Sequence, residues 1–195
     1  MKQPLGVILA GGQATRMGGG DKGLLPLGQG TIISHVIARL EPQVAGMALN
    51  ANGDPARFAD LNLPVLPDSI PGFAGPLSGV LAGLDWAATK DATHIVTAAA
   101  DTPFFPCDLV PQLLHAAEAA STEIALACTP DGRHPTFGLW PTALRDDLRA
   151  ALNDGLRKVV LWTDKHGGAT AHFPDDAAFF NVNTPDDLVQ AENML

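Results

Sequence analysis

Cysteine is almost missing from this sequence: Cys107 and Cys128 are the two in 195 residues. Two thiols could close one disulfide at most, and no CxxC or HxxxH spacing accompanies them. A disulfide-stapled scaffold and a transition-metal site built from those spacings are therefore not indicated. Long apolar runs are missing too. The run LGVILAGG near the start is too short for a secretory segment, and no stretch approaches the roughly 20 apolar residues of a membrane helix. The expectation is a cytoplasmic protein with reduced, mostly buried thiols and no membrane partner. Positive charge is scarce, with 12 Lys and Arg against 21 Asp and Glu and a formal net charge of -9. Such a chain lacks the cationic face that a general nucleic-acid binder needs, so no nucleic-acid partner is expected. One local cluster of cations could still hold a nucleotide. No internal repeat, low-complexity tract or linker divides the chain, so residues 1–195 are expected to form one domain. What is present is 46% hydrophobic and 17% charged residues, the balance of an ordered protein with a full core.

The pattern of that core alternates. Leu5–Leu9 is a continuous apolar run of the kind found in a parallel strand buried on both faces. Thr31–Leu40 reads as a helix with Ile32, Val36, Ile37 and Leu40 on one side. Strands are then expected at 45–49, 64–66, 93–98 and 123–128. Helices are expected at 55–60, 77–89 and 107–120, with a proline- and glycine-rich loop at 69–76. This rhythm predicts right-handed βαβ crossovers and an α/β fold, a Rossmann-like three-layer αβα arrangement around a mostly parallel sheet. The second half is less regular. A strand at 136–139, helices at 142–153 and 156–165, and an edge strand at 169–173 are expected. Thr184-Pro185-Asp186-Asp187 is a strong helix start, with an N-cap threonine, proline at the first position and acids in the first turn.

Ligands of open α/β sheets bind beyond the carboxyl ends of the strands. After the first strand comes Leu9-Ala10-Gly11-Gly12 and then a stretch carrying Arg16, Gly18, Gly19, Gly20, Asp21 and Lys22. Glycines let backbone N–H groups approach phosphate oxygens. Arg16 can bond a phosphate bidentately, and Lys22 can act as a mobile point charge. This is neither the P-loop pattern, with Gly-Lys-Ser/Thr feeding directly into a helix, nor the GxGxxG dinucleotide fingerprint. The combination points to a triphosphate site. Asp101 follows an apolar strand and precedes Pro103. Its hard carboxylate suits Mg²⁺, although Asp-Thr-Pro is also a common turn. Asn50, Asn52 and Asp68 lie at the ends of the second and third strands and could read a nucleoside, with turn-forming asparagine beside Gly53 as the plainer alternative. Asn181 and Asn183 have strand spacing, which would turn both amides to one side, or they cap the helix that begins at Pro185.

The stretch LAGGQATRMGGGDKGLLPL resembles the signature of the nucleotidyltransferases that make sugar nucleotides and cofactors. Its Asp-Lys version is most similar to the molybdenum cofactor guanylyltransferase family. LNAN at Leu49–Asn52, Pro67-Asp68, GPLSG at Gly75–Gly79, ADTPF at Ala100–Phe104, HPT at His134–Thr136 and FNVNTPDDL at Phe180–Leu188 extend the likeness over nearly the whole chain.

The resemblance implies the fold of the nucleotide-diphospho-sugar transferases. The first half would bind the nucleotide and the second would face a pterin substrate. It implies that GMP passes from GTP to molybdenum-loaded molybdopterin, with Mg²⁺ required and pyrophosphate released. Arg16, Lys22 and Asp101 would be catalytic, and Asp101 would also bind the metal. Leu9, Ala10, Gly11, Gly12, Lys22, Asn50, Asp68 and Asp101 would hold the nucleotide. His134, Arg157, Lys158, Asn181 and Asn183 would lie on the pterin side. Partner proteins would be those that supply molybdopterin and those that mature molybdoenzymes. The alternatives are a cytidylyltransferase acting on the same pterin and a non-catalytic nucleotide-binding adaptor of molybdoenzyme maturation.

Overall fold

Val7 and Ile8 are adjacent, fully buried and turned to opposite sides of one strand, and that alternation lays out the molecule. The computed structural model describes residues 2–11, 21–70, 72 and 75–195. In chain order the strands are β1 (Leu5–Leu9), β2 (Pro26–Leu27), β3 (Gly30–Thr31), β4 (Met47–Asn50), β5 (Val65–Leu66), β6 (His94–Ala99), β7 (Ala125–Thr129), β8 (Gly132–Pro141) and β9 (Ala169–His172). The helices are α1 (Ile32–Leu40), α2 (Pro76–Ala88), α3 (Leu109–Ala119), α4 (Arg145–Asn153), α5 (Val159–Lys165) and α6 (Pro185–Asn193). Seven strands form one sheet in the order β5-β4-β1-β6-β8-β7-β9, and β2 and β3 form a separate antiparallel pair. Within the sheet only β8 runs against its neighbours, so the expected mostly parallel α/β fold is the one observed.

Both faces are covered. Ile8, Val96, Ala98 and Leu139 pack with Ile33, Val36 and Leu40 of α1 and with Leu109, Val110 and Leu113 of α3. On the other side Val7, Ile95, Leu126 and Trp140 pack against Leu77, Val80, Leu81 and Leu84 of α2, and against residues of α4 and α5. This is the three-layer αβα arrangement. Helix α2 lies very close to the sheet because Gly79 and Gly83 face it. A methyl on Gly83 would come within 2.8 Å of Val7 and Ile95.

Helix starts follow their caps. Thr31 and Ser34 form a reciprocal capping box at α1, and Thr184 and Asp187 do the same at α6, with Pro185 in the first turn. Other boundaries differ from the sequence expectation. Helix α3 begins at Leu109 rather than 107, after Pro106, whose carbonyl accepts from Leu109 N–H. The segment expected as one helix at 142–153 opens with a 3₁₀ turn at Thr142–Leu144. Helix α5 begins at Val159 rather than 156, because Gly155 at φ +92 ends the preceding turn and leaves Arg157 and Lys158 outside the helix. Strand β8 is longer than expected, Gly132–Pro141, and its register against β7 shifts beside Pro135, which has no ladder donor. Residues 180–183 are not a strand.

Candidate functional site

The chain runs from β1 to β4 and β5 on one side, then crosses to β6 on the other. β1 and β6 therefore flank the point where the strand order reverses. Crevices form there in open α/β sheets. Here the crevice is lined by Leu9, Ala10, Asp21, Lys22, Phe58 and Asp101, among others. Gly23 fits under Ile33 and the backbone of Ala100, which brings the Lys22–Leu24 turn down onto the end of β6.

Lys22 and Asp101 meet directly. Lys22 Nζ donates to Asp101 Oδ2 at 2.7 Å and to Asn183 Oδ1 at 2.6 Å. The two side chains are 17% and 25% exposed, so the pair is only partly screened by water. The segment carrying Asn183 is fixed to the same strand end, since Val182 N–H donates to the Asp101 carbonyl at 2.8 Å. Thr102, fully buried, completes the arrangement. Its hydroxyl lies 3.3 Å from Asp101 Oδ1 and makes a much shorter contact with Asn181 Oδ1. A hydroxyl has one proton, and the shorter contact takes it. The two amides thus have separate partners: Asn181 is held by Thr102 and Asn183 accepts from Lys22. The α6 N-cap bonds are made by Thr184 and Asp187 rather than by either amide.

This oxygen set fits a hard divalent cation. A carboxylate oxygen and an amide oxygen already converge on one positive charge, the Lys22 ammonium. Among the described residues no three His, Cys, Asp or Glu side chains gather as a metal cage. Mg²⁺ commonly accepts one or two protein ligands and takes the rest from phosphate and water.

A second cluster lies at the ends of β4 and β5. Asn50, 2% exposed, donates through Nδ2 to Asp68 Oδ1 at 3.0 Å and to the Leu66 carbonyl at 3.1 Å. Asn52 donates to Asp68 Oδ2 at 2.9 Å and accepts from Asp68 N–H at 2.9 Å. Both carboxylate oxygens are therefore aimed by amides, and each keeps a further lone pair. Gly79 of α2 packs on Asn50, and a methyl there would overlap its Oδ1.

Arg57 went unrecognised in the sequence. Its Nε pairs with Asp21 Oδ2 at 2.5 Å, and its Nη2 donates to the Asn52 carbonyl at 2.5 Å. It links the residue before Lys22 to the end of β4. Thr102 was also missed as a site residue, although it lies inside the ADTPF motif. Arg57 carried no motif signal.

Strand β8 continues past the Thr97–Gly138 pair toward the end of the sheet where Asp101 lies, and His134 is on that extension. Its Nε2 is 2.8 Å from Thr129 Oγ1, and its ring stacks on Phe179 at 4.3 Å between centroids. Burial pushes its pKa below the ordinary histidine value, opposed by Asp176 and Asp131. Arg157 Nη1 donates to the carbonyls of Leu152 and Leu156, which ties it to the turn before α5, and Lys158 is the exposed residue preceding that helix. Gly12 and Arg16 lie outside the described residues. Of the expected nucleotide residues, Leu9 and Gly11 flank Ala10 at the end of β1, and Gly11 lies beside the Asn50 amide.

A doubly covered, mostly parallel sheet with a lysine–aspartate pair at its switch point defines a nucleotide-handling α/β protein. The chain belongs to the MobA-like NTP transferase domain family, which it matches over residues 6–167. It is 50% identical over 197 residues to a molybdenum cofactor guanylyltransferase of Mesorhizobium japonicum, covering 97% of this chain and 95% of that one. A molybdenum cofactor guanylyltransferase of Cereibacter sphaeroides is 52% identical over 190 residues, covering 97% and 96%. In fold the chain is similar to the molybdopterin-guanine dinucleotide biosynthesis protein A of Archaeoglobus fulgidus, with a TM-score of 0.74 at 24% identity and 97% of each chain covered.

Proposed function

We propose that this protein transfers GMP from GTP to the terminal phosphate of molybdenum-loaded molybdopterin. The products are the guanine dinucleotide form of the cofactor and pyrophosphate. The observation that carries this reading is the pair Lys22 and Asp101 at the strand-order switch point, in a chain about half identical to guanylyltransferases over nearly its whole length. The likeness to guanylyltransferases supports guanine as the base, and so do the paired amides that orient Asp68. A carboxylate can accept from both the N1–H and the exocyclic amine of guanine, a donor pair that cytosine does not present.

The chemistry asked of the chain is modest. The attacking oxygen belongs to a phosphate monoester, already an anion at neutral pH, so no general base is needed. A bond forms between that oxygen and the α-phosphorus of GTP, the bond from the α-phosphorus to the bridging oxygen breaks, and pyrophosphate leaves with the electron pair. Two anions must be brought together and the leaving group's charge offset. Lys22, with Arg16 six positions before it in the sequence, supplies positive charge in a protein that is otherwise acidic. Asp101 and Asn183 would hold Mg²⁺, which when bound neutralises phosphate charge and favours departure of pyrophosphate. His134, Arg157 and Lys158 are assigned to the pterin side, with the two halves of a single domain, 1–195, serving the two substrates. Proteins that supply molybdopterin or mature molybdoenzymes are the partners this reading implies.

The test is to incubate the protein with Mg²⁺, molybdopterin and each of the four nucleoside triphosphates in turn, and to identify the dinucleotide formed. GTP should give product and pyrophosphate. Preference for CTP would replace the base assignment, and no pyrophosphate with any nucleotide would favour an adaptor.

A further inference from the structure

Lys22 and Asp101 have been given different tasks, phosphate for one and metal for the other, yet each occupies the other. The ammonium sits 2.7 Å from Asp101 Oδ2 and 2.6 Å from Asn183 Oδ1. A divalent ion could use the same two oxygens. An ion held by both would take the space the ammonium fills, and two cations so close would repel strongly. The lysine and the metal are therefore mutually exclusive on this pair of oxygens, Asp101 Oδ2 and Asn183 Oδ1.

We propose that Lys22 is an exchangeable counter-cation that keeps a divalent ion off Asp101 Oδ2 and Asn183 Oδ1 until a triphosphate draws the ammonium away. Nucleotide and metal then enter as a unit. This rests on the reading of Asp101 as the metal ligand.

The local structure suits such an exchange. The backbone around Lys22 is fixed, because Gly23 is packed against Ile33 and Ala100 and Leu25 N–H donates to the Lys22 carbonyl. Only the side chain needs to swing, and lysine has a flexible four-carbon stem. The oxygens it leaves stay in place. Val182 N–H holds the Asp101 carbonyl, and Asn183 N–H donates to Asp187 Oδ2 at 2.9 Å. A triphosphate carries several negative charges against the single charge of Asp101, so it competes well for the ammonium. With the lysine in place the carboxylate is paired without a metal, which spares an acidic protein an unneutralised, partly buried charge.

The experiment is a titration with Mn²⁺ alone, without nucleotide or pterin, with free ion read by electron paramagnetic resonance. It compares the native protein with Lys22→Ala, Lys22→Met and Asp101→Asn, each checked for an unchanged fold by circular dichroism and thermal melting. Methionine keeps the bulk of the stem and removes the charge. Both lysine variants should bind Mn²⁺ about tenfold or more tightly than the native protein, the order expected when one partly screened opposing charge is removed. Asp101→Asn should bind more weakly. If Asp101→Asn weakens binding but neither lysine variant tightens it, the exchange is overturned and Asp101 remains the metal ligand. If Asp101→Asn binds as the native protein does, the metal assignment falls and the exchange falls with it.

Discussion

The buried amide of Asn50 holds one oxygen of the Asp68 carboxylate at 3.0 Å, while Asn52 holds the other at 2.9 Å. Two donors used leave about two of the four acceptor positions of a carboxylate open. That is the number a guanine edge needs. The comparison that isolates this contact is GTP against inosine triphosphate, which lacks the exocyclic amine. A hydrogen bond to a charged group contributes about 1.5–3 kcal/mol, so kcat/KM should favour GTP by roughly 10- to 100-fold. Asp68→Asn should bring that ratio close to one. A ratio that survives the substitution would place guanine recognition elsewhere.

The same cluster shows how much could be read ahead of the structure. Asn50 and Asp68 were visible because strand ends carry function in such sheets and because the motifs matched. Their mutual bond was not visible, since it joins residues on different strands. The alternation of strands and helices was legible because Leu5–Leu9 is apolar on both faces and because Thr31 and Thr184 are strong caps. Arg157 and Lys158 were placed in a helix because the apolar spacing from Leu156 suits one. The left-handed turn at Gly155 decides otherwise. Lys22 and Asp101 are 79 residues apart, and no spacing rule predicts that they meet.

Asp101→Asn removes the charge and keeps the shape. Loss of electrostatic stabilisation of this kind costs about 10²- to 10³-fold in kcat. The fold should persist, because Val182 binds the Asp101 carbonyl rather than its side chain. Steady-state pyrophosphate release beside a thermal melt checks both halves, and near-native turnover would remove Asp101 from the mechanism.

Thr102 offers a sharper test of positioning. Thr102→Val keeps the volume and leaves the Asn181 oxygen without its donor. Asn181 is exposed, so water can replace that donor, and the expected cost is about 0.5–1.5 kcal/mol in urea unfolding, with kcat reduced at saturating GTP. Thr102→Ser retains the hydroxyl and should restore turnover. If serine and valine behave alike, the hydroxyl does not set the geometry around Asp101.

Gly79→Ala places a methyl over the Asn50 oxygen and 2.8 Å from Leu9 Cδ2. Overpacking of this kind costs about 1–3 kcal/mol. Because α2 and Asn50 cannot both keep their positions, KM for GTP should rise along with the loss of stability. Unchanged KM in a destabilised protein would show that α2 yields and the Asn50–Asp68 pair does not.

The pH dependence of stability has a definite sign. His94 is 4% exposed, and among the described residues its Nε2 has no hydrogen-bond partner. Burial lowers its pKa from 6.5, opposed by Glu123, whose carboxylate is 3.8 Å away. The unfolded chain therefore takes up a proton near pH 6.5 that the folded chain refuses. Stability is whole above that pH, falls as the pH drops from 6.5 toward the folded-state pKa, and stops falling below it. The slope from one histidine cannot exceed about 1.4 kcal/mol per pH unit. His134 is also lowered by burial and adds a slope of the same sign. Urea midpoints measured between pH 7.5 and 5 should therefore decline in the native protein, decline less in His94→Leu, and flatten further in His94→Leu/His134→Leu. A native slope that His94→Leu leaves intact would show that the imidazole is protonated in the folded state as readily as in the unfolded chain.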